Sequence, residues 1–287
     1  MQKIINVKIE ELTFDCRVAG DPERELILFL HGYPETSYMW RNMIQDLADV
    51  GFFCVAPNMR GYSVGACPKG KKNYALEILA NDILALANHF SKPKFHLVGH
   101  DWGSIVGWEI VQEHEASILS WTGMSVPHPK SFINSITNDN AQNKKSSYFK
   151  TLQIPFLPEI GIRKNDYKIF RKLWKDCSSE EIEAYLSVFK NPKQLTAAIN
   201  YYRANIPLLK KRAKLEVTDH IYVPTLFIYG KMDGAVSAEA VNDGHQFMKG
   251  EYEYVELETG HWLVETKYQE VKKAIMNHVL KFTLKNK

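Results

Sequence analysis

The chain has 287 residues, 45% hydrophobic and 24% charged, with a formal net charge of +3. This is the composition of an ordinary soluble globular protein, long enough for one large α/β domain with an inserted subdomain. No stretch reaches the roughly 20 apolar residues that a membrane span needs, and Met1 to Ile5 lacks the basic-then-apolar pattern of a leader, so the expected location is the cytoplasm. Four cysteines (Cys16, Cys54, Cys67, Cys177) show no C-x-x-C pair; Cys54 and Cys16 read as small core residues, with no disulfide framework and no metal ligation.

Charge is unevenly spread. Between Lys130 and Leu215 there are 17 Lys and Arg against 7 Asp and Glu, so this segment is +10 and the remainder −7. A solvated helical surface accounts for this; a positive rim attracting anionic substrates is the sharper alternative. No recognised nucleic-acid motif accompanies the charge.

In chain order, Ile5, Val7 and Ile9 alternate with polar residues, and Leu12, Phe14, Cys16 and Val18 repeat the pattern, predicting two antiparallel strands. Leu26 to Leu30 is continuously apolar and reads as a strand buried on both faces. A helix is expected over Ser37 to Val50, stopped by Gly51. Next come a buried strand at Phe52 to Ala56 and a helix over Ala75 to Phe90. The run from Phe95 is a strand passing directly into a helix, and a further strand is expected at Leu119 to Val126. Strands alternating with helices at this spacing argue for a mostly parallel sheet covered on both faces. After Pro127-His128-Pro129 the rhythm breaks. Helical stretches at Asn165–Trp174, Ser179–Phe189 and Pro192–Ile206 follow, with no buried strand. Strands return at Val223 to Gly230 and Tyr252 to Leu257, before a closing helix over Val264 to Phe282. The expected division is a core of residues 1–128 and 218–287 with a helical cap, 129–217, inserted between its halves.

The junction Gly99-His100-Asp101-Trp102-Gly103 has the pattern of a nucleophile elbow. Small residues two before and two after a reactive residue permit a turn too tight for a Cβ at either flank. The usual occupant is Ser; here it is Asp. A carboxylate is already anionic at neutral pH, so the first step needs no base. It suits displacement at a saturated carbon, leaving an alkyl ester that water must hydrolyse. As a plain turn residue, Asp101 would only cap the following helix.

Asp233 follows the strand ending at Gly230, and His261 follows the strand ending near Leu257. In open α/β sheets, sites form beyond the carboxyl ends of strands. The order nucleophile, acid, histidine is that of the α/β-hydrolase arrangement. In this scheme His261 activates water against the ester on Asp101, and Asp233 orients the imidazole and stabilises its charged form. His31-Gly32-Tyr33-Pro34 falls at a neighbouring strand end, where the backbone N–H groups of Tyr33 and Trp102 form an oxyanion hole. A cis bond before Pro34 is compatible with such a turn.

On these residues the chain resembles the α/β-hydrolase-fold epoxide hydrolases over nearly its whole length, which implies an eight-stranded, mostly parallel sheet flanked by helices. Asn200-Tyr201-Tyr202-Arg203 is similar to the family's Asn-Trp-Tyr-Arg segment, with Tyr201 departing at the Trp position. Ser147-Tyr148-Phe149 with Gln153 and Pro155 matches a second cap segment more loosely. The resemblance implies that Tyr148 and Tyr202 hydrogen-bond the epoxide oxygen and protonate it as the ring opens. It also implies a small hydrophobic epoxide and water as reactants, with no cofactor; it fixes no oligomeric state. Haloalkane dehalogenases share the Asp nucleophile and His, and their halide-binding Trp resembles Trp102. Tyr33, however, stands where many of them place a halide-binding Asn, and the two cap tyrosines would then have no task. A non-enzymatic ligand-binding member of the fold is the third reading, although such proteins often lack a catalytic residue that this chain retains.

Overall fold

The computed structural model describes residues 2–212 and 220–284. Eight strands form one sheet: β1 (Lys3–Ile9), β2 (Leu12–Ala19), β3 (Leu26–Leu30), β4 (Phe53–Pro57), β5 (Phe95–His100), β6 (Ile118–Met124), β7 (Thr225–Gly230) and β8 (Tyr252–Leu257). Their spatial order is β1-β2-β4-β3-β5-β6-β7-β8. β1 pairs antiparallel with β2, and β2 with β4, while every pairing from β3 to β8 is parallel. Every residue of β3, β4, β5, β6 and β7 is buried, because crossover helices cover both faces of a parallel sheet. β1 and β8 are the two edge strands, and Glu253, Tyr254 and Glu256 of β8 stay in solvent.

Helices α1 (Arg41–Asp49), α2 (Leu76–His89) and α3 (Trp102–Glu113) connect the first strands. The expected helix from Ser37 begins as a 3-10 turn, Ser37–Trp40, whose Tyr38 N–H donates to the Thr36 side chain and whose Ser37 N–H donates to Asn58 Oδ1. Gly51, at φ +105°, ends α1 in a conformation that a Cβ disfavours. The strand expected to reach Val126 stops at Met124, since Ser125 turns to φ +66°.

Between β6 and β7 the chain is helical: α4 (Pro129–Asn138), α5 (Asn140–Lys145), α6 (Tyr148–Leu152), α7 (Leu157–Leu173), α8 (Ser179–Phe189) and α9 (Pro192–Arg212). Three of these, α4 to α6, were not expected from periodicity. α5 and α6, of six and five residues, are too short to show a helical period, and local features start the first two: Pro129 in α4, and the Asp139 carboxylate accepting from the Ala141 and Gln142 N–H groups at α5. α7 begins eight residues before the expected Asn165, crossing a break at Asn165, Asp166 and Tyr167 where φ is positive. α8 opens on a capping box between Ser178 and Glu181. The expected boundary at residues 217–218 lies outside the described residues. After β7 come α10 (Ala238–Asn242), α11 (Leu263–Thr266) and α12 (Tyr268–Lys281). The closing helix expected as one piece is thus two, divided at Lys267, whose φ of −133° breaks the helical path. Among the described residues no helix is long and apolar enough to cross a membrane.

Candidate active site

The turn from β5 into α3 has no room for side chains at its flanks. A Cβ on Gly99 would stand 2.4 Å from the Gly103 carbonyl oxygen, and one on Gly103 would stand 2.2 Å from that of Leu30. Asp101 between them has φ +52° and ψ −116°, a strained conformation for a residue with a side chain. Its carboxylate makes no cap to α3, which removes the reading of Asp101 as a capping residue.

Asp101 Oδ1 instead accepts the Tyr33 backbone N–H at 2.7 Å. The approach is possible because Gly32 lacks a side chain: a Cβ there would lie 2.3 Å from Asp101 Cβ. The Tyr33–Pro34 peptide is cis. Trp102, the other expected donor, contributes the first N–H of α3, one of the amides that a helix start leaves without an intrahelical partner. Asp101 Oδ2 faces His261, 3.6 Å from Nε2.

His261 Nδ1–H donates to Asp233 Oδ2 at 2.9 Å. Asp233 is fully enclosed; its Oδ1 accepts the Ala235 and Val236 N–H groups. Burial alone would raise the Asp233 carboxyl, but the His261 charge and these hydrogen bonds hold it at about 2. For His261, burial works against the charged form, and Asp233 together with Asp101 overrides it, raising the imidazole well above its ordinary value. The three residues from three strand ends therefore meet in one chain of contacts.

The two tyrosines converge from the helical segment. Tyr202 on α9 is buried, its ring 5.4 Å from that of Tyr33 and 4.9 Å from that of Trp102. Tyr148, at the start of α6, keeps 38% of its surface exposed, and its ring lies 5.9 Å from that of Tyr202. Burial, each other's proximity and the Asp101 charge push the Tyr202 hydroxyl well above its usual range; burial and Asp101 raise Tyr148. The Trp102 indole stands edge-on to the Tyr202 ring, at 84° between planes, on the elbow side of it. The adjacent Tyr201 is spent elsewhere: its hydroxyl donates to the Arg60 carbonyl at 2.7 Å. Phe149, Phe170 and Phe189 complete an aromatic wall against Tyr33 and Tyr202.

Ser125 was not singled out from the sequence. Its Oγ–H donates to Asp233 Oδ2 at 2.7 Å and lies 2.9 Å from His261 Nδ1. The signal was present: Ser125 immediately follows β6, another strand end. Glu35, His100 and Glu265 also escaped notice, and all lie against the His261 loop. Among the described residues no group of three His, Cys, Asp or Glu side chains is placed to hold a metal ion.

The model of the alpha/beta hydrolase fold family matches residues 25–268. An AB hydrolase superfamily protein of Bacillus subtilis, YfhM, is 31% identical over 98% of this chain and 97% of its own length. Human epoxide hydrolase 4 is 30% identical over 98% of this chain and 79% of its own length. The chain belongs to the epoxide hydrolase family of the α/β-hydrolase fold. A crystal structure of Bacillus megaterium epoxide hydrolase superposes with a TM-score of 0.87, covering 96% of this chain and 100% of the other at 24% identity, a likeness of fold.

Proposed function

We propose that this enzyme opens an epoxide through a covalent ester on Asp101 and hydrolyses that ester to a vicinal diol, with segment 129–217 acting as a cap over the core. The observation that carries this over halide chemistry is the pair of tyrosines, Tyr148 and Tyr202, packed against each other and both close enough to feel the Asp101 charge. An alkoxide is a poor leaving group and needs an acid beside it; halide needs N–H donors instead.

Because Oδ1 of Asp101 is held by the Tyr33 N–H, Oδ2 is the nucleophilic oxygen. It forms a bond to an epoxide carbon as the C–O bond opens, and a tyrosine hydroxyl gives its proton to the departing oxygen. Raised well above the usual range, both hydroxyls remain protonated at neutral pH and yield a proton only to a strongly basic oxygen. Alkylation also removes the Asp101 charge, one of the two that raise His261. The imidazole thus releases its Nε2 proton to solvent once the ester forms, and rebinds one when the Asp101 charge returns. His261 Nε2 then takes a proton from water, and the hydroxide attacks the ester carbonyl. Oδ1, already in the oxyanion hole, carries the tetrahedral charge against Tyr33 and Trp102. Collapse releases the diol, and the imidazolium proton returns to the tyrosinate. The aromatic wall suits a hydrophobic substituent on the epoxide.

A side-by-side assay of styrene oxide and a haloalkane, scoring diol against halide, tests this reading. Diol formation without halide release is expected. Halide release without diol would replace it with dehalogenation, and neither product with several substrates of each class would favour a ligand-binding role.

A further inference from the structure

Beneath the His261 loop lies a cluster of ionisable groups that the reaction scheme does not use. Glu35, next to the oxyanion turn, and His100, next to the nucleophile, have fully buried side chains; Glu265 lies in α11, four residues after the base. Glu35 Oε2 is 3.2 Å from His100 Nδ1, and His100 Nε2 is 2.9 Å from the His261 backbone carbonyl. The Glu35 and Glu265 carboxyls are close enough that each shifts the other's proton affinity. Oε1 of Glu35 and Oε2 of Glu265 are buried with no hydrogen-bond partner, and the Tyr185 hydroxyl donates to Glu265 Oε1 at 3.1 Å. Among the described residues no Lys or Arg bonds either carboxyl. The other charged or titratable groups facing them are His261, Asp101, Tyr62, Cys177 and Glu181, the last paired with Arg41.

Hydrogen-bond accounting constrains the protons. A carbonyl oxygen only accepts, so His100 Nε2 must carry a hydrogen. The contact between Nδ1 and Glu35 needs a second proton, and two buried carboxyls this close repel unless a third neutralises one of them. Ionised carboxylates with a neutral imidazole supply one of these three. Burying two unpaired carboxylates would be costly, and two added protons bring the cluster to neutrality.

We infer that Glu35, His100 and Glu265 form a neutral, proton-sharing strut that positions the catalytic base, with one proton on the carboxyl pair and one between Glu35 and His100. This rests on His261 being that base. Burial pushes Glu35 up to about 7 and Glu265 well above its ordinary range, while it lowers His100, so the protons reside mainly on the carboxyls. When Glu35 loses its proton, Nδ1 must donate to the carboxylate. Nε2 then presents a lone pair to the His261 carbonyl, and the support fails. The strut links the oxyanion turn, the elbow and the base loop, three segments far apart in sequence.

The test has two readouts. Infrared spectra of the resting wild-type protein near pH 6 should show a protonated-carboxyl band that diminishes in Glu265→Gln and titrates as pH rises. Single-turnover decay of the styrene oxide ester should fall at least tenfold above that titration in wild type. In Glu35→Gln the neutral amide keeps a donor toward His100, so the alkaline fall should disappear while alkylation is unchanged. Absence of the band, or a Glu35→Gln profile superimposable on wild type, overturns the inference; should Glu35→Gln not fold, the wild-type band and its change in Glu265→Gln decide. The band is independent of the reaction, whereas an error in the role of His261 would show as no trapped ester in His261→Gln.

Discussion

Tyr202→Phe removes one hydroxyl at the point where epoxide and halide chemistry part. A hydrogen bond to a charged oxygen contributes about 1.5–3 kcal/mol. At about 1.4 kcal/mol per tenfold in rate, alkylation of Asp101 should slow by roughly 10- to 150-fold. Tyr148→Phe should cost a similar factor, and the double change should approach the 10²- to 10⁴-fold commonly ascribed to general acid assistance. The fold should persist, since only a hydroxyl is lost from a ring that stays packed against Tyr33, Trp102 and Phe149. Stopped-flow tryptophan fluorescence is a suitable assay, since the Trp102 ring is 4.9 Å from Tyr202. Because the two hydroxyls are raised, alkylation should not decline as pH passes through 10, where an unperturbed tyrosine would ionise. Unchanged alkylation in both single variants and the double one, with folded protein, would refute the acid role and leave Trp102 as the leaving-group partner.

Multiple turnovers in ¹⁸O-water, followed by mass spectrometry of the Asp101 peptide, should place label in that carboxylate; label confined to the diol would mean direct attack by water. His261→Gln should alkylate normally and then stall, giving a lasting mass adduct, with ester decay slowed by about 10²-fold or more; turnover at the wild-type rate would remove His261 from the scheme. Asp233, held at about 2 in the folded state, binds fewer protons there than when unfolded. Its contribution to stability is therefore complete above about pH 4 and lost as pH falls through 2. Urea midpoints of wild type and Asp233→Asn should accordingly converge over that window, and a constant difference would contradict the linkage.

Sequence alone determined much of this protein. Apolar runs such as Leu26 to Leu30 specify buried strands because a parallel sheet leaves no wet face, and the small flanks of Asp101 specify an elbow because Gly99 and Gly103 meet backbone within 2.4 Å. Asp233 and His261 were legible as strand-end residues in a known order. Short elements were not: α4 and α5 start at Pro129 and at the Asp139 cap, α6 packs on α7 and α9, and one Lys267 dihedral splits the closing helix. Only the tertiary structure decided which buried polar groups meet. Ser125, Glu35, His100 and Glu265 are ordinary polar residues in a linear reading; packing around the His261 loop sets Ser125 on Asp233, Glu35 on His100 and Tyr185 on Glu265, where low dielectric strengthens each contact.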